Sequence, residues 1–426
     1  MNYEEAVQWI HAREKFKIKP GLKRMEWMMK RLDHPEQKIT AVHIAGTNGK
    51  GSTVSFLRHI LQGQGQSVGT FTSPYIETFN ERISVNGRPI SDRELAETVG
   101  QIRPLSEELK QTSLGEPTEF EVITAAALLH FSQLDLDFVL METGLGGTYD
   151  STNIIHPVLS VITNVGHDHM NILGSTISEI AGEKAGIIKQ GVPLVTGASQ
   201  QAAVDVIAAK VEECGARMYG YGKEFHADHL ASGEGRETFR FISPTFTSPV
   251  WKSSLLGPHQ VTNASLAIQA AEVLREQGVP LETEQYGKAI EKTFWPARFE
   301  TLRRRPLTIV DGAHNEEGTN ALVETVKRHY SDRRILLVYA ALEDKPVEKM
   351  LGKLKEVSDH LYVTTFDFPR ALSSEALKEL SPMPHTEAFV DYKQAVREAM
   401  TEAGGEDVIV VSGSLYFISI VRSFLK

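Results

Sequence analysis

The stretch Gly46-Thr47-Asn48-Gly49-Lys50-Gly51-Ser52 has the residue types and spacing to hold a polyphosphate. An apolar run over 39–44 precedes it, and a helix-like run over 53–61 follows. Strand, glycine-rich turn and helix let backbone N–H groups approach phosphates closely, while the helix N-terminus and Lys50 add positive charge. Ser52 is expected to cap the helix and to lie near the nucleotide's metal. The stretch departs from the usual eight-residue phosphate loop. Ile44 stands where its first glycine belongs, and Gly51 replaces the hydroxyl residue after the lysine.

Further clusters carry chemistry. An apolar run over 137–142 ends in Glu142 and a glycine turn, which places a carboxylate where ligands gather in parallel sheets and suits Mg2+. The run over 158–164 leads into His167-Asp168-His169, and either histidine could ligate a metal. Glu179 and Glu183 lie four apart with Lys184 next to them, which reads as a solvated helix face. Asp311 ends another strand at the turn Asp311-Gly312-Ala313-His314-Asn315. It suits a ribose hydroxyl or a plain turn aspartate equally well.

These clusters need strands to carry them and helices to cover the strands. Apolar, β-branched runs at 40–45, 67–72, 138–142, 158–164 and 193–196 alternate with helical patterns at 121–133, 177–187, 200–213 and 262–277. A second strand series at 307–311, 334–340, 360–364 and 407–412 follows. The alternation predicts an α/β protein with largely parallel sheets. Residues 222–255 alternate in short runs and predict a small antiparallel excursion at the sheet edge. Pro296 within 294–298 interrupts a helical pattern and marks a hinge. The expected organisation is therefore a P-loop-type ATP-binding domain over 1–296 and a smaller Rossmann-like domain over 297–426.

Bulk properties limit the partners. The 426 residues carry a formal net charge of -10, which argues against a general nucleic-acid binder. Cys214 is the one cysteine, so an internal disulfide or thiolate metal cluster is excluded and a reducing compartment is expected. Residues 1–30 are rich in charge and lack an apolar signal core, and the apolar stretch 408–421 reads as a buried strand followed by a helix. A cytoplasmic protein, away from membranes, is expected.

The ordered motifs extend over nearly the whole chain: GTNGKGS at 46–52, TSPYIETFNERI at 72–83, FE at 120–121, METGLGG at 141–147 and ITNVGHDH at 162–169. EIAGEKAGIIK at 179–189, GPHQVTNA at 257–264, WPARFE at 295–300, DGAHN at 311–315 and SGSLYF at 412–417 complete the set. Together they resemble folylpolyglutamate synthase, the bacterial type often bifunctional with dihydrofolate synthase, within the Mur-ligase-like superfamily of ATP-dependent amide ligases.

The resemblance implies ATP and two Mg2+ ions, with metal ligands on Ser73, Glu142 and His169 and a carbamylated Lys184. It implies nucleotide contacts at Gly46 through Ser52 and at Asn263, Arg298 and Asp311. Catalytic roles fall on Lys50, Lys184 and His314. Arg82, Phe120, Tyr149, Asp150 and Ser151 lie on segments similar to those beside the folate or pterin-bearing substrate. The implied reaction adds L-glutamate to a folate carboxylate through an acyl phosphate, giving ADP and phosphate. Another Mur-type amino-acid ligase and a nucleotide-binding regulator without ligase activity are the alternatives. Members often carry arginine after the paired glycines, whereas this chain has Thr148. That departure bears on dihydropteroate use more than on polyglutamylation.

Overall fold

A computed structural model describes residues 1–13, 21–233 and 235–426. They form two compact units. The first comprises Met1–Ala227, Phe241–Pro249 and Thr262–Lys292. Its sheet is built from β1 (Ala41–Ala45), β2 (Val68–Phe71), β3 (Ile83–Val85), β4 (Arg88–Pro89), β5 (Phe138–Glu142), β6 (Leu159–Ile162), β7 (Leu194–Thr196) and β8 (Met218–Gly220). The strand order is β4-β3-β2-β5-β1-β6-β7-β8. From β2 to β8 all neighbours pair in parallel, and β3 and β4 add an antiparallel margin. A parallel sheet covered on both faces buries every side chain, which is why the central strands read as unbroken apolar runs.

Helices α1 (Tyr3–His11), α2 (Lys23–Arg31), α3 (Lys50–Gln62), α4 (Asp92–Lys110) and α5 (Glu119–Ser132) come first in this unit. Next are α6 (Met170–Leu173), α7 (Ile177–Ala185), α8 (Gln201–Glu213), α9 (Pro258–Glu276, grouped here from Thr262 onward) and α10 (Tyr286–Lys292). Met25, Met28, Val122 and Leu128 of α2 and α5 share a core with Phe71, Val139 and Met141 of the sheet. Ile180 and Ile207 of α7 and α8 pack with Ile162 and Leu194 in another cluster. Capping boxes fix where α4, α5 and α7 begin, through Ser91 with Glu94, Thr118 with Glu121 and Thr176 with Glu179. α9 starts at Pro258, four residues before the predicted start, because proline suits the first helical position.

The second unit comprises Asp228–Arg240, Val250–Val261 and Thr293–Lys426. The antiparallel excursion expected at the edge of the main sheet is instead a sheet of its own. It orders β9 (His226–Gly233), β10 (Arg236–Ile242) and β11 (Trp251–Ser253) as β11-β10-β9. The larger sheet here contains β12 (Glu300–Arg304), β13 (Leu307–Val310), β14 (Ile335–Tyr339), β15 (His360–Thr364), β16 (Thr386–Phe389) and β17 (Val408–Ser412). Their order is β12-β13-β17-β14-β15-β16, parallel except for the edge strand β12. Helices α11 (Glu316–Tyr330), α12 (Val347–Leu354), α13 (Ser374–Glu379), α14 (Tyr392–Glu402) and α15 (Leu415–Leu425) belong to it. The expected strand and helix over 408–421 are β17 and α15. Pro296 lies in a turn, four residues after α10 has ended, rather than inside a helix. Among the described residues, no helix is long and apolar enough to cross a membrane.

Candidate active site

In the first unit, β1 delivers the chain to Gly46, and the loop closes at Gly49, which is the N-cap of α3 with φ of 83°. The left-handed backbone at that point favours glycine. Ser52 therefore does not cap the helix, contrary to expectation: it lies inside the first turn. Its hydroxyl and that of Thr53 are buried without a hydrogen-bond partner. Lys50 folds back over the loop and donates from Nζ to the carbonyls of Gly46 (2.9 Å) and Thr47 (3.3 Å).

The end of β6 shapes the loop. Asn164 Oδ1 accepts from the backbone N–H groups of Thr47 (3.1 Å) and Asn48 (2.8 Å), and Thr163 Oγ1 donates to the Asn48 carbonyl (2.6 Å). Both glycines are required by close approach. A Cβ on Gly46 would lie 1.8 Å from Thr163 Oγ1, and one on Gly49 would lie 2.4 Å from Asn263 Oδ1. The latter contact brings the predicted nucleotide residue Asn263, on α9, against the loop.

Beside the loop, β5 ends in Glu142, whose Cα pairs with Ile44 of β1. Its side chain is buried, and the Ser73 backbone N–H approaches Oε2 at 3.4 Å. Two predicted metal ligands are thus adjacent. His169 stands apart in exposure: it precedes α6 at φ of 50°, with Nε2 3.8 Å from Asp168 Oδ1. Among the described residues, the one cluster of three histidine and acid side chains close enough to share an ion is His360, Glu387 and Glu402 of the second unit. There Arg334 already holds Glu402, so a cation would meet a guanidinium.

Lys184 on α7 is 2% exposed, which overturns the reading of a solvated face for it. Glu179 is exposed but serves as the cap of α7, accepting from Ser175 N (2.8 Å) and Thr176 N (2.9 Å). Those hydrogen bonds pull its carboxyl below the ordinary range. Gly147 runs against this helix: a Cβ there would lie 2.6 Å from the Glu183 carbonyl and 2.9 Å from that of Lys184. Thr148 donates from N (2.8 Å) and Oγ1 (3.1 Å) to the Glu183 carbonyl.

The predicted substrate residues divide. Phe120 closes on the turn after Glu142, since a Cβ on Gly144 would lie 2.5 Å from its ring. Arg82 lies 5.3 Å above the Tyr75 ring and 3.8 Å from Glu119. The neighbouring capping acid Glu121 takes both its oxygens to Arg24 Nε at 2.9 and 3.0 Å, which ties the start of α5 to α2. Tyr149 is 54% exposed and Ser151 is buried. Asp150 turns inward, accepting from Leu145 N (2.8 Å) and Thr152 N (3.0 Å), and burial pushes its carboxyl up.

In the second unit, β13 leads into Asp311. Both carboxylate oxygens hold backbone, Oδ2 accepting from Phe299 N (2.8 Å) and Oδ1 from Ala313 N (2.9 Å). The turn carrying Arg298 has non-glycine residues at positive φ on either side, Ala297 at 56° and Phe299 at 49°. Backbone in this sparsely populated region persists only where its surroundings enforce it. A Cβ on Gly312 would lie 2.4 Å from Arg298 Nη1, so arginine and aspartate turn are packed together. His314 Nδ1 lies 2.9 Å from the Gly312 carbonyl, an acceptor only, so Nδ1 is the donor in this contact. Gly413, from the SGSLYF segment after β17, donates to the Ala313 carbonyl at 3.2 Å.

Sequence models of two Mur ligase domains match the chain: the middle domain over residues 44–271, and the glutamate ligase domain over 297–415. A Bacillus subtilis protein named dihydrofolate synthase/folylpolyglutamate synthase is 46% identical, covering 100% of this chain and 99% of its own. The chain belongs to the folylpolyglutamate synthase family. The ADP complex of Mycobacterium tuberculosis folylpolyglutamate synthase superposes with a TM-score of 0.92 at 29% identity, covering 99% of this chain and 98% of that one. An "FPGS-AMPPCP-folate complex" superposes at 0.87 with 33% identity and full coverage of both chains.

Within this family frame, the middle-domain match contains the loop, Ser73, Glu142, His169, Lys184 and Asn263, and the ligase-domain match contains Arg298, Asp311 and His314. The loop fits a Mg-bound nucleotide on its own evidence, through glycines that admit no side chain and the partnerless buried hydroxyl of Ser52. Thr163 and Asn164 shape this site yet escaped the sequence reading, which looked past them to the histidines of the same motif. Their signal was position, a polar pair directly after an apolar strand. Asn164→Ala is expected to raise KM for ATP by roughly 10-fold, the cost of leaving the Asn48 N–H unpaired at about 1–3 kcal/mol, since the Thr47 N–H keeps the backbone carbonyl of residue 164 at 3.2 Å. ADP-release kinetics at varied ATP check this.

Proposed function

We propose that this chain is an ATP-dependent C–N ligase that joins L-glutamate to the carboxylate of a folate, acting as a monomer on small molecules. The observation that carries the reading is the loop of Gly46 to Ser52, with Lys50 folded over it and buried Glu142 on the adjoining strand. The assignment places ATP binding in 1–296 and the glutamate-ligase domain in 297–426.

A carboxylate is a poor electrophile. Transfer of the γ-phosphoryl group to one of its oxygens forms an acyl phosphate and releases ADP. The glutamate amine then attacks the acyl carbon, the C–O bond to phosphate breaks, and the amine loses a proton as the amide forms. The protein's part is placement and charge neutralisation. Lys50 and the N–H groups at the start of α3 hold the transferring phosphate oxygens. Asn263, Arg298 and Asp311 contact the nucleotide, with His314 beside them. Ser73, Glu142 and His169 would hold Mg2+, two ions in all with the help of Lys184, and the metal would neutralise charge on the phosphoryl and acyl oxygens. Lys184 is carbamylated: its ammonium group gives up a proton, the neutral amine adds to CO2, a second N–H proton leaves, and a cation has become a carboxylate. Arg82, Phe120, Tyr149, Asp150 and Ser151 form the folate side, Asp150 acting through the backbone it holds. Enclosure matters because acyl phosphates hydrolyse.

The test offers purified protein ATP, Mg2+ and labelled glutamate, with tetrahydrofolate and dihydropteroate in separate reactions. Glutamate-dependent ADP release and label incorporation are expected with tetrahydrofolate. No ADP release with either substrate overturns the reading. The dihydropteroate arm decides what Thr148 does to the second activity.

A further inference from the structure

A buried carboxylate in the second unit does work that no motif announces. Glu237, on β10, is fully buried and collects donors from four separate points of the chain. His229 Nε2 on β9 lies 2.7 Å from Oε2, and Ser232 donates to the same oxygen at 2.5 Å. His329 Nε2 on α11 lies 2.7 Å from Oε1, and the Gly257 backbone N–H donates to that oxygen at 2.6 Å. Burial pushes this carboxyl up, but the donors from His329, Ser232, Gly257 and His229 outweigh it and hold it at about 2. An ionised carboxylate with four donors is a strong, directional clamp, and each charge-assisted bond is roughly twice as strong as a neutral one.

What the clamp holds is the entry to α9. Gly257 has φ of 105°, and a Cβ there would lie 2.4 Å from Thr325 Oγ1 and 2.5 Å from His259 Cε1. The turn is thus wedged against α11, which presents Thr325 and His329 four residues apart on one face. α11 itself emerges directly from the Asp311–His314 turn, with Asn315 as its N-cap. His259 lies within electrostatic reach of both Asp311 and Arg298. Asn263 follows in the second turn of α9.

We propose that Glu237 is a positioning residue for nucleotide use: through the Gly257 N–H and His329 it locks the start of α9 to α11, and so sets the surroundings of Arg298 and Asp311. This rests on the ligase reading above. If that reading fails, the wild-type protein releases no ADP. If only the clamp fails, the wild type works and the variants below match it.

The experiment compares His329→Phe, which removes the donor at similar bulk, with His329→Gln, whose amide N–H can reach the same oxygen. KM for ATP is expected to rise roughly tenfold in His329→Phe, the loss of one hydrogen bond to a charged acceptor, with KM for glutamate and folate within about twofold. His329→Gln is expected to recover most of that loss. Unchanged KM for ATP in folded His329→Phe overturns the proposal, as does an equal change for all three substrates or a kcat loss alone. Should His329→Phe fail to fold, hydrogen exchange on the wild type decides. ADP is expected to slow exchange in the peptide containing Gly257, and an unaltered rate there, with slowing at the Gly46–Ser52 loop, overturns the clamp.

Discussion

Lys50→Ala is expected to lower kcat/KM for ATP-dependent glutamate addition by about 10³-fold, the range seen when a preorganised charge donor is removed from a phosphoryl-transfer site. The argument is positional. Lys50 is the first residue of α3, and its Nζ is held over the loop by the carbonyls of Gly46 and Thr47 at 2.9 and 3.3 Å. Those carbonyl contacts aim the ammonium group across the cradle, where the oxygens of a bound triphosphate accumulate charge during transfer. The effect belongs mainly to the transition state, so kcat falls more than KM rises. Arginine is not a substitute, because its planar fork cannot occupy the place of a compact ammonium group. Fold stability changes little, since the lysine is only partly buried and its bonds to the loop are replaceable by water. Rapid-quench measurement of ADP formation, with thermal unfolding as a control, checks both halves. Near-normal ligation by Lys50→Ala would sink the phosphate assignment.

Much of this scaffold was legible from the chain because parallel sheets covered on both faces demand unbroken apolar strands. The runs at 40–45 and 138–142 are β1 and β5, and the acid and glycines at their ends lie side by side because those strands are neighbours. What stayed hidden depends on packing between distant segments. Asn164 holds Asn48 across 116 positions of sequence, and Glu237 meets His329 across 92. No local pattern encodes such pairs. The Ser52 cap failed for a local reason: a glycine in left-handed conformation at Gly49 supplies the N-cap and pushes the serine into the first turn. The edge excursion failed because β9 to β11 pair with one another, a choice their short alternating pattern leaves open.

Lys184 raises the hardest question of physical chemistry in the site. Spacing placed it beside Glu183 on a helix, and spacing alone does not tell which face of a helix packs. The helix buries this lysine, to 2% exposure, and its backbone carbonyl lies against the Gly147 turn. The neutral amine of a lysine is the form that attacks CO2. The proposed carbamate would replace a cation with an anion, which is the sign a metal-assisted acyl transfer needs. Two variants separate this role from packing. Lys184→Ala and Lys184→Arg are both expected to lose roughly 10²- to 10³-fold in kcat, because neither carries the carboxylate, although arginine keeps the positive charge and most of the bulk. Wild-type activity is expected to fall in CO2-depleted buffer and return with bicarbonate, and 13C-bicarbonate is expected to give a carbamate resonance that both variants lack. Retention of activity by Lys184→Arg, or full wild-type turnover with an unmodified lysine under bicarbonate, would mean that the ammonium itself is the functional form. In that case Glu142, Ser73 and His169 would be left to hold the metal without a carbamate.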